Sequence, residues 1–222
     1  MRSSRGQVVL RQKARSAVVW SAVDLFMRQG MGFAFAIALA RLLVPEDFGT
    51  IALLSLFLGL AGLFVNAGFS TALIQKQDTT HVDESTVFWF NMGAGVIFTL
   101  ALIGLAPWMA DFFALPVLSP LAMAMALNVL ISAMGSIHGT LMTKRLDFRT
   151  PMKIGVIATL FSGGVGVYMA WAGYGVWALA GQALTSTLIG TALLWFFSPW
   201  RPLLTFSSDS FRGLFAFSGY IF

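Results

Sequence analysis

The sequence predicts an all-α integral membrane protein, and three observations carry that expectation. Hydrophobic residues make up 58% of the chain and charged ones 10%, against about 45–50% and about 25% in soluble domains. So few charges cannot clothe a water-facing surface. The apolar residues also fall in runs of about twenty, the length at which a helix rising 1.5 Å per residue crosses a hydrocarbon core about 30 Å thick. Finally, Lys and Arg collect in alternate gaps between these runs, as they do in multi-pass membrane proteins.

Taken in order, six complete hydrophobic segments are expected at about residues 15–41, 49–74, 85–107, 117–141, 153–173 and 175–197. A seventh starts near Gly213 and runs to Phe222. The chain thus divides into a basic amino terminus (1–14), a six-helix lobe (15–197), a linker (198–212) and the start of a seventh helix (213–222). Pro and Gly punctuate the segments. Pro45 follows the first; Pro107, Pro116 and Pro120 bracket the link between the third and fourth; Gly173 and Gly175 flank Tyr174 between the fifth and sixth. Pro151 suits the first turn of the fifth helix. The link 111–118, with Trp108, Phe112 and Phe113 close by, reads either as a plain connector, the commoner role of such loops, or as an aromatic interfacial turn, and Asp78, Asp83 and Glu84 read as acids at a helix entry.

Counting basic residues in alternate gaps gives an orientation. One side receives Arg2, Arg5, Arg11, Lys13, Arg15, Lys76, Lys144, Arg145, Arg149, Lys153, Arg201 and Arg212; the other receives Arg41. That bias places the amino terminus in the cytoplasm. Ala38 and Ala40 form an A-x-A pattern, but the leader before it is long and carries Asp24 and Arg28, so the first segment is expected to be retained as a span rather than cleaved.

Several function classes find nothing to work with. Cysteine is absent and the histidines are His81 and His138, so no metal, redox or cofactor role is assigned. The net charge of +5 is dispersed between apolar runs rather than gathered in a patch, so nucleic acid is not an expected partner.

The first segment holds the most informative residues. Gln29 to Ala40 supplies twelve uncharged residues, about 18 Å of helix, which is short of the hydrocarbon core. The helix must therefore carry Asp24 and Arg28 into the membrane, where each charge costs about 2.5–3.5 kcal/mol on the insertion scale. Their spacing of four places them on one face, together with Ser21 and Gly32. Such a stripe either lines a water-filled cavity, with Arg28 attracting an anionic group and Asp24 tuning it, or forms a buried ion pair that orders the bundle. Weaker polar faces recur at helical spacing: Ser55, Gly59, Gly62 and Asn66; Asn91, Gly95 and Thr99; Asn128, Ser132 and Gly135, with His138 beside them; Gly155, Thr159, Ser162 and Gly166; Gln182, Ser186 and Gly190. Small residues at this spacing usually serve close helix packing. The candidate cavity residues are Arg28, Asp24, Ser21 and Asn66.

Four strings carry a family resemblance: LARLLVPEDFG (39–49), GFSTALIQKQD (68–78), TKRLDFRT (143–150) and GYGVWALAGQ (173–182). They resemble the polysaccharide exporters of the multidrug/oligosaccharidyl-lipid/polysaccharide superfamily, in the branch of colanic-acid-type and lipopolysaccharide O-antigen flippases. The resemblance implies a MATE-like transporter of two six-helix lobes around an alternately opening cavity, in the bacterial inner membrane. It implies a substrate of undecaprenyl-pyrophosphate-linked oligosaccharide, and membrane lipids and a carboxy-terminal lobe as partners. An even number of spans returns the chain to the cytoplasm, as a parallel repeat requires, and a cationic residue such as Arg28 suits a pyrophosphate. Members of that family are longer, so this chain is expected to be the amino-terminal part. A cation-coupled drug or metabolite antiporter of the same superfamily, kept open by Asp24, and a non-transporting membrane subunit of polysaccharide synthesis are the alternatives. No enzyme activity is expected: the sequence shows no Walker motif and no sizeable aqueous loop with clustered carboxylates.

Overall fold

The computed structural model describes residues 26, 27, 29–66, 69–75, 79–208 and 210–212. The amino terminus 1–14, Ser21, Asp24, Arg28 and the expected seventh helix from Gly213 lie outside the described residues. Seven helices are described: α1 (Gln29–Leu42), α2 (Pro45–Asn66), α3 (Phe69–Gln75), α4 (His81–Phe112), α5 (Leu118–Lys144), α6 (Arg149–Trp171) and α7 (Val176–Phe197). Among the described residues there is no strand, and α4 to α7 are long and apolar enough to cross a membrane. The chain is an all-α membrane protein.

Local signals set most helix ends. α4 opens on a capping box: the Thr80 hydroxyl accepts from the Asp83 amide at 3.2 Å, and the Asp83 carboxylate accepts from the Thr80 amide at 3.1 Å. Such caps contribute about 1 kcal/mol. Pro45 is the first residue of α2, with Glu46 and Asp47 in its first turn, where acids complement the helix dipole. The turn between α5 and α6 places Leu146 at φ 56°, and the following Asp147 accepts from both the amide and the hydroxyl of Thr150. Between α6 and α7 the backbone needs φ 84° at Gly173 and 54° at Gly175, a region only glycine enters freely.

Two boundaries differ from the sequence expectation. The second segment, expected as one run over 49–74, is divided into α2, ending at Asn66, and α3, beginning at Phe69. The third, expected to stop at Pro107, continues through it to Phe112. Proline there removes the bond to the carbonyl four residues back, yet Ala106, Met109 and Ala110 are buried in a cluster with Leu54, Leu118 and Leu121. Tertiary burial outweighs the local penalty. The chain then turns through Ala114 at φ 52°, and Trp108 stacks on Phe112 at 5.3 Å with both rings exposed, in keeping with the aromatic-turn reading of the sequence.

α5 is the central helix, packed against α2, α3, α4, α6 and α7, while α6 and α7 form a tight antiparallel hairpin. α1 lies on that hairpin, with Leu39 and Leu43 against Ala170 and Ala178. The antiparallel order collects Lys144, Arg145, Arg149, Lys153 and Arg201 at one end of the bundle. Arg41 stands at the other. At the basic end the segment after α7 lies along the start of α4: Trp89 Nε1 donates to the Leu203 carbonyl at 2.7 Å, and the amides of Leu203 and Ser207 donate to the hydroxyls of Ser85 and Thr86.

Candidate functional site

Of the four cavity candidates, Ser21, Asp24 and Arg28 lie outside the described residues, and so does the side chain of Asn66, the last residue of α2. The weaker polar faces are described, and they separate into two kinds.

Most are packing seams. Asn91, Gly95 and Thr99 of α4 all meet α5: Asn91 Nδ2 donates to Ser136 Oγ at 3.0 Å, Thr99 Oγ1 donates to the Ala126 carbonyl at 3.1 Å, and a Cβ at Gly95 would stand 2.8 Å from that of Ala133. The faces of α6 and α7 meet each other. Gly166 takes the side chain of Gln182, and Gly155, Thr159, Ser186 and Gly190 line a shared groove beside α5. α7 carries a second polar face that the sequence analysis does not single out. Thr187 Oγ1 donates to Asn128 Oδ1 at 2.9 Å, and Thr191 Oγ1 donates to the Ile131 carbonyl at 3.1 Å. Close approach and interhelical hydrogen bonds are the usual adhesives between helices in lipid, where apolar burial gives little drive.

The α2 face is different. Ser55 and Gly59 are exposed, and a Cβ added at Gly59 or Gly62 would meet nothing within 4 Å among the described residues. Beside Gly62 a recess of about 180 Å³ opens between α2 and the middle of α5. Its polar lining is Asn128, Ser132 and Ser136, and its apolar lining is Leu58, Val129 and Ala133. Asn128, Ser132 and Ser136 recur every four residues and so share one face of α5. The sequence reading finds the first two; Ser136 is the next step of the same repeat. Ser132 is exposed at the mouth of the recess. Asn91 Nδ2 reaches Ser136 from α4, while its Oδ1 atom is buried without a hydrogen-bond partner.

His138 belongs to neither face. Fully buried, its ring lies 4.8 Å from Trp195 and 5.4 Å from Trp200 in edge contacts, and Phe88 and His81 also abut Trp200. Arg201 closes this aromatic clasp, donating to the carbonyls of Ser198 and Trp200 and standing 5.6 Å over Trp195. Among the described residues no group of three His, Asp or Glu side chains is placed to hold a metal ion.

Fold and recess together define a multi-pass helical membrane protein with a hollow at mid-bundle whose described polar lining is Asn128, Ser132 and Ser136. Residues 38–222 match the polysaccharide biosynthesis protein family, and the chain belongs to that family. Over 201 residues it is 27% identical to the succinoglycan biosynthesis transport protein ExoT of Rhizobium meliloti, covering 90% of this chain and 41% of the relative. It is 29% identical over 150 residues to the lipopolysaccharide biosynthesis protein WzxC of Escherichia coli, covering 68% and 30%. With the teichuronic acid biosynthesis protein TuaB of Bacillus subtilis the identity is 27% over 165 residues, covering 72% and 34%. The chain therefore spans less than half the length of these curated relatives. No solved structure matches it.

Proposed function

We propose that the chain forms one six-span lobe of a lipid-linked saccharide exporter, in which the polar sides of the first helix, α2 and α5 wall a transport cavity. In this reading α1 with the residues before it is the first span, α2 with α3 the second, and α4 to α7 the remaining four. A second lobe, for which the greater length of the relatives leaves room, supplies the opposite wall in a MATE-like arrangement. The basic end of the bundle, with the amino terminus, faces the cytoplasm.

The observation that carries this reading is the exposed polar face formed by Ser55 and Gly59 of α2 and Ser132 of α5. Hydroxyl and amide groups at mid-membrane depth normally turn toward a bundle interior or a water-filled cavity rather than lipid, and Ser132 with the open α2 glycines faces outward from the described lobe. Arg28, carried into the membrane by the first helix, supplies a fixed cation for the diphosphate of an undecaprenyl-diphosphate-linked oligosaccharide, and Asp24 tunes it. Family membership and the transport role named for ExoT favour export over a non-transporting subunit.

Complementation tests the proposal. In a bacterium lacking its own exporter, the chain supplied together with a carboxy-terminal lobe should restore surface polysaccharide. Arg28→Ala should insert normally and fail to export, and Arg28→Lys should retain part of the activity. Export by Arg28→Ala at the parental level would return that residue to packing. The chain has no cysteine, so the orientation can be read by labelling Arg145→Cys with an impermeant thiol reagent. Labelling only after the membrane is opened is the expected outcome.

A further inference from the structure

We infer that the α2–α5 recess is the saccharide subsite of the transport path, taking the hydroxyl groups of one uncharged sugar ring. The inference deepens the export reading and rests on it. Among the described residues the recess is lined by no charged side chain, so these α2 and α5 residues offer no counter-charge to a diphosphate and suit a neutral polar group instead.

Its hydrogen-bonding inventory matches a hydroxyl, which both donates and accepts. Asn128 lines the recess; its Oδ1 lies 2.9 Å from the Thr187 hydroxyl, and its amide NH₂ adds two donors. Ser136 Oγ already accepts from Asn91 and donates to the Ala133 carbonyl, so it has one lone pair left to accept with. The Ser132 hydroxyl at the mouth has no partner among the described residues and serves either way. Leu58, Val129 and Ala133 give the apolar floor on which the C–H face of a pyranose rests. The volume of about 180 Å³ is on the order of six waters at about 30 Å³ each, space for a single ring rather than an oligosaccharide.

Binding to the chain in lipid nanodiscs tests the inference with two probes: undecaprenyl diphosphate carrying a hexose disaccharide, and sugar-free undecaprenyl diphosphate. Ser132→Val removes a hydroxyl at an exposed position and leaves the packing intact; Gly62→Leu fills the recess from α2. Each should weaken the sugar-bearing lipid roughly three- to tenfold, the value of about one hydrogen bond, and leave the sugar-free lipid at parental affinity. An unchanged affinity for the sugar-bearing lipid in Ser132→Val, or an equal loss for both lipids, overturns the subsite while leaving the export reading standing. If the parent chain, assembled with a carboxy-terminal lobe, binds neither lipid better than phosphatidylglycerol, the export reading falls and the subsite with it.

Discussion

Gly95 of α4 packs on Ala133 of α5, Gly62 of α2 lines the recess that Ala133 also borders, and a methyl group added to each would meet opposite surroundings. At Gly95 it would stand 2.8 Å from the Ala133 Cβ; at Gly62 it would meet nothing within 4 Å among the described residues. Gly135 against Thr191, Gly163 against the Phe35 ring, Gly166 against Gln182 and Gly181 against Met169 behave like Gly95. A mid-helix glycine costs roughly 0.5–1 kcal/mol relative to alanine. Along the seams that cost is offset by dispersion contacts between closely approaching helices. At Gly62 an added methyl group would find no described atom to pack on. One set of glycines brings helices together, and the other keeps a space open.

The largest effect should follow from closing the first kind of gap. Gly95→Leu places a branched side chain where the neighbouring atom is the Cβ of an alanine, which cannot swing aside, so α4 and α5 must separate. Overpacking of this sort costs about 1–3 kcal/mol and occasionally more. The substitution should also break the adjacent Asn91 to Ser136 and Thr99 to Ala126 bonds. A fall in the thermal unfolding midpoint in detergent is the expected result, and an unchanged midpoint would mean that the α4–α5 seam is no tighter than the α2 face.

A smaller effect should come from Asn91, which belongs to the seam by its Nδ2 and carries a buried, unpaired Oδ1. Asn91→Ala loses the bond to Ser136, worth about 0.6 kcal/mol on average between membrane helices, but also removes a buried acceptor that has no donor. The two terms oppose each other. A double-mutant cycle with Ser136→Ala isolates the first, and a coupling of roughly 0.5–1.5 kcal/mol is expected. No coupling would show that the two side chains are adjacent without being bonded.

What could be read from the sequence follows the same division between local and tertiary causes. The turns were legible because a local rule governs each: Gly173 and Gly175 flanking a break between helices, Asp83 as an acid at a helix entry, Pro151 in the first turn of α6. Three of the strings that carry the family resemblance contain such helix ends: Pro45 with Asp47, Asp147 with Thr150, and Gly173 with Gly175. They therefore identify an architecture more readily than a substrate. The small polar faces were legible as faces, but spacing alone does not say what each one meets. Gly166 finds Gln182 and Asn91 finds Ser136 only because α5 sits at the centre of the bundle. Thr187 and Thr191 went unread because two threonines in an apolar run give little contrast. Pro107 misled for the converse reason, a strong local signal overridden by the burial of Met109 and Ala110. The charged candidates Asp24 and Arg28 lie outside the described residues and remain a proposal from sequence.

The smallest stability effect should be at Gly62, and its sign is what sharpens the comparison. Gly62→Ala adds one methyl group on the recess side of α2, where no described atom lies within 4 Å of it. No described residue has to move, and alanine narrows the backbone freedom of the unfolded chain, so the helix should gain up to about 1 kcal/mol. The unfolding midpoint should stay level or rise slightly, whereas the same one-methyl change at Gly95 should lower it. The methyl group also occupies part of the recess that Leu58 and Ser132 border, so saccharide-lipid binding should weaken in a variant that is no less stable. A stable variant with weaker binding separates a glycine kept for an occupant from one kept for packing. If Gly62→Ala instead unfolds as readily as Gly95→Ala, the open face of α2 is covered in the membrane by another helix, and the glycine there serves a seam after all.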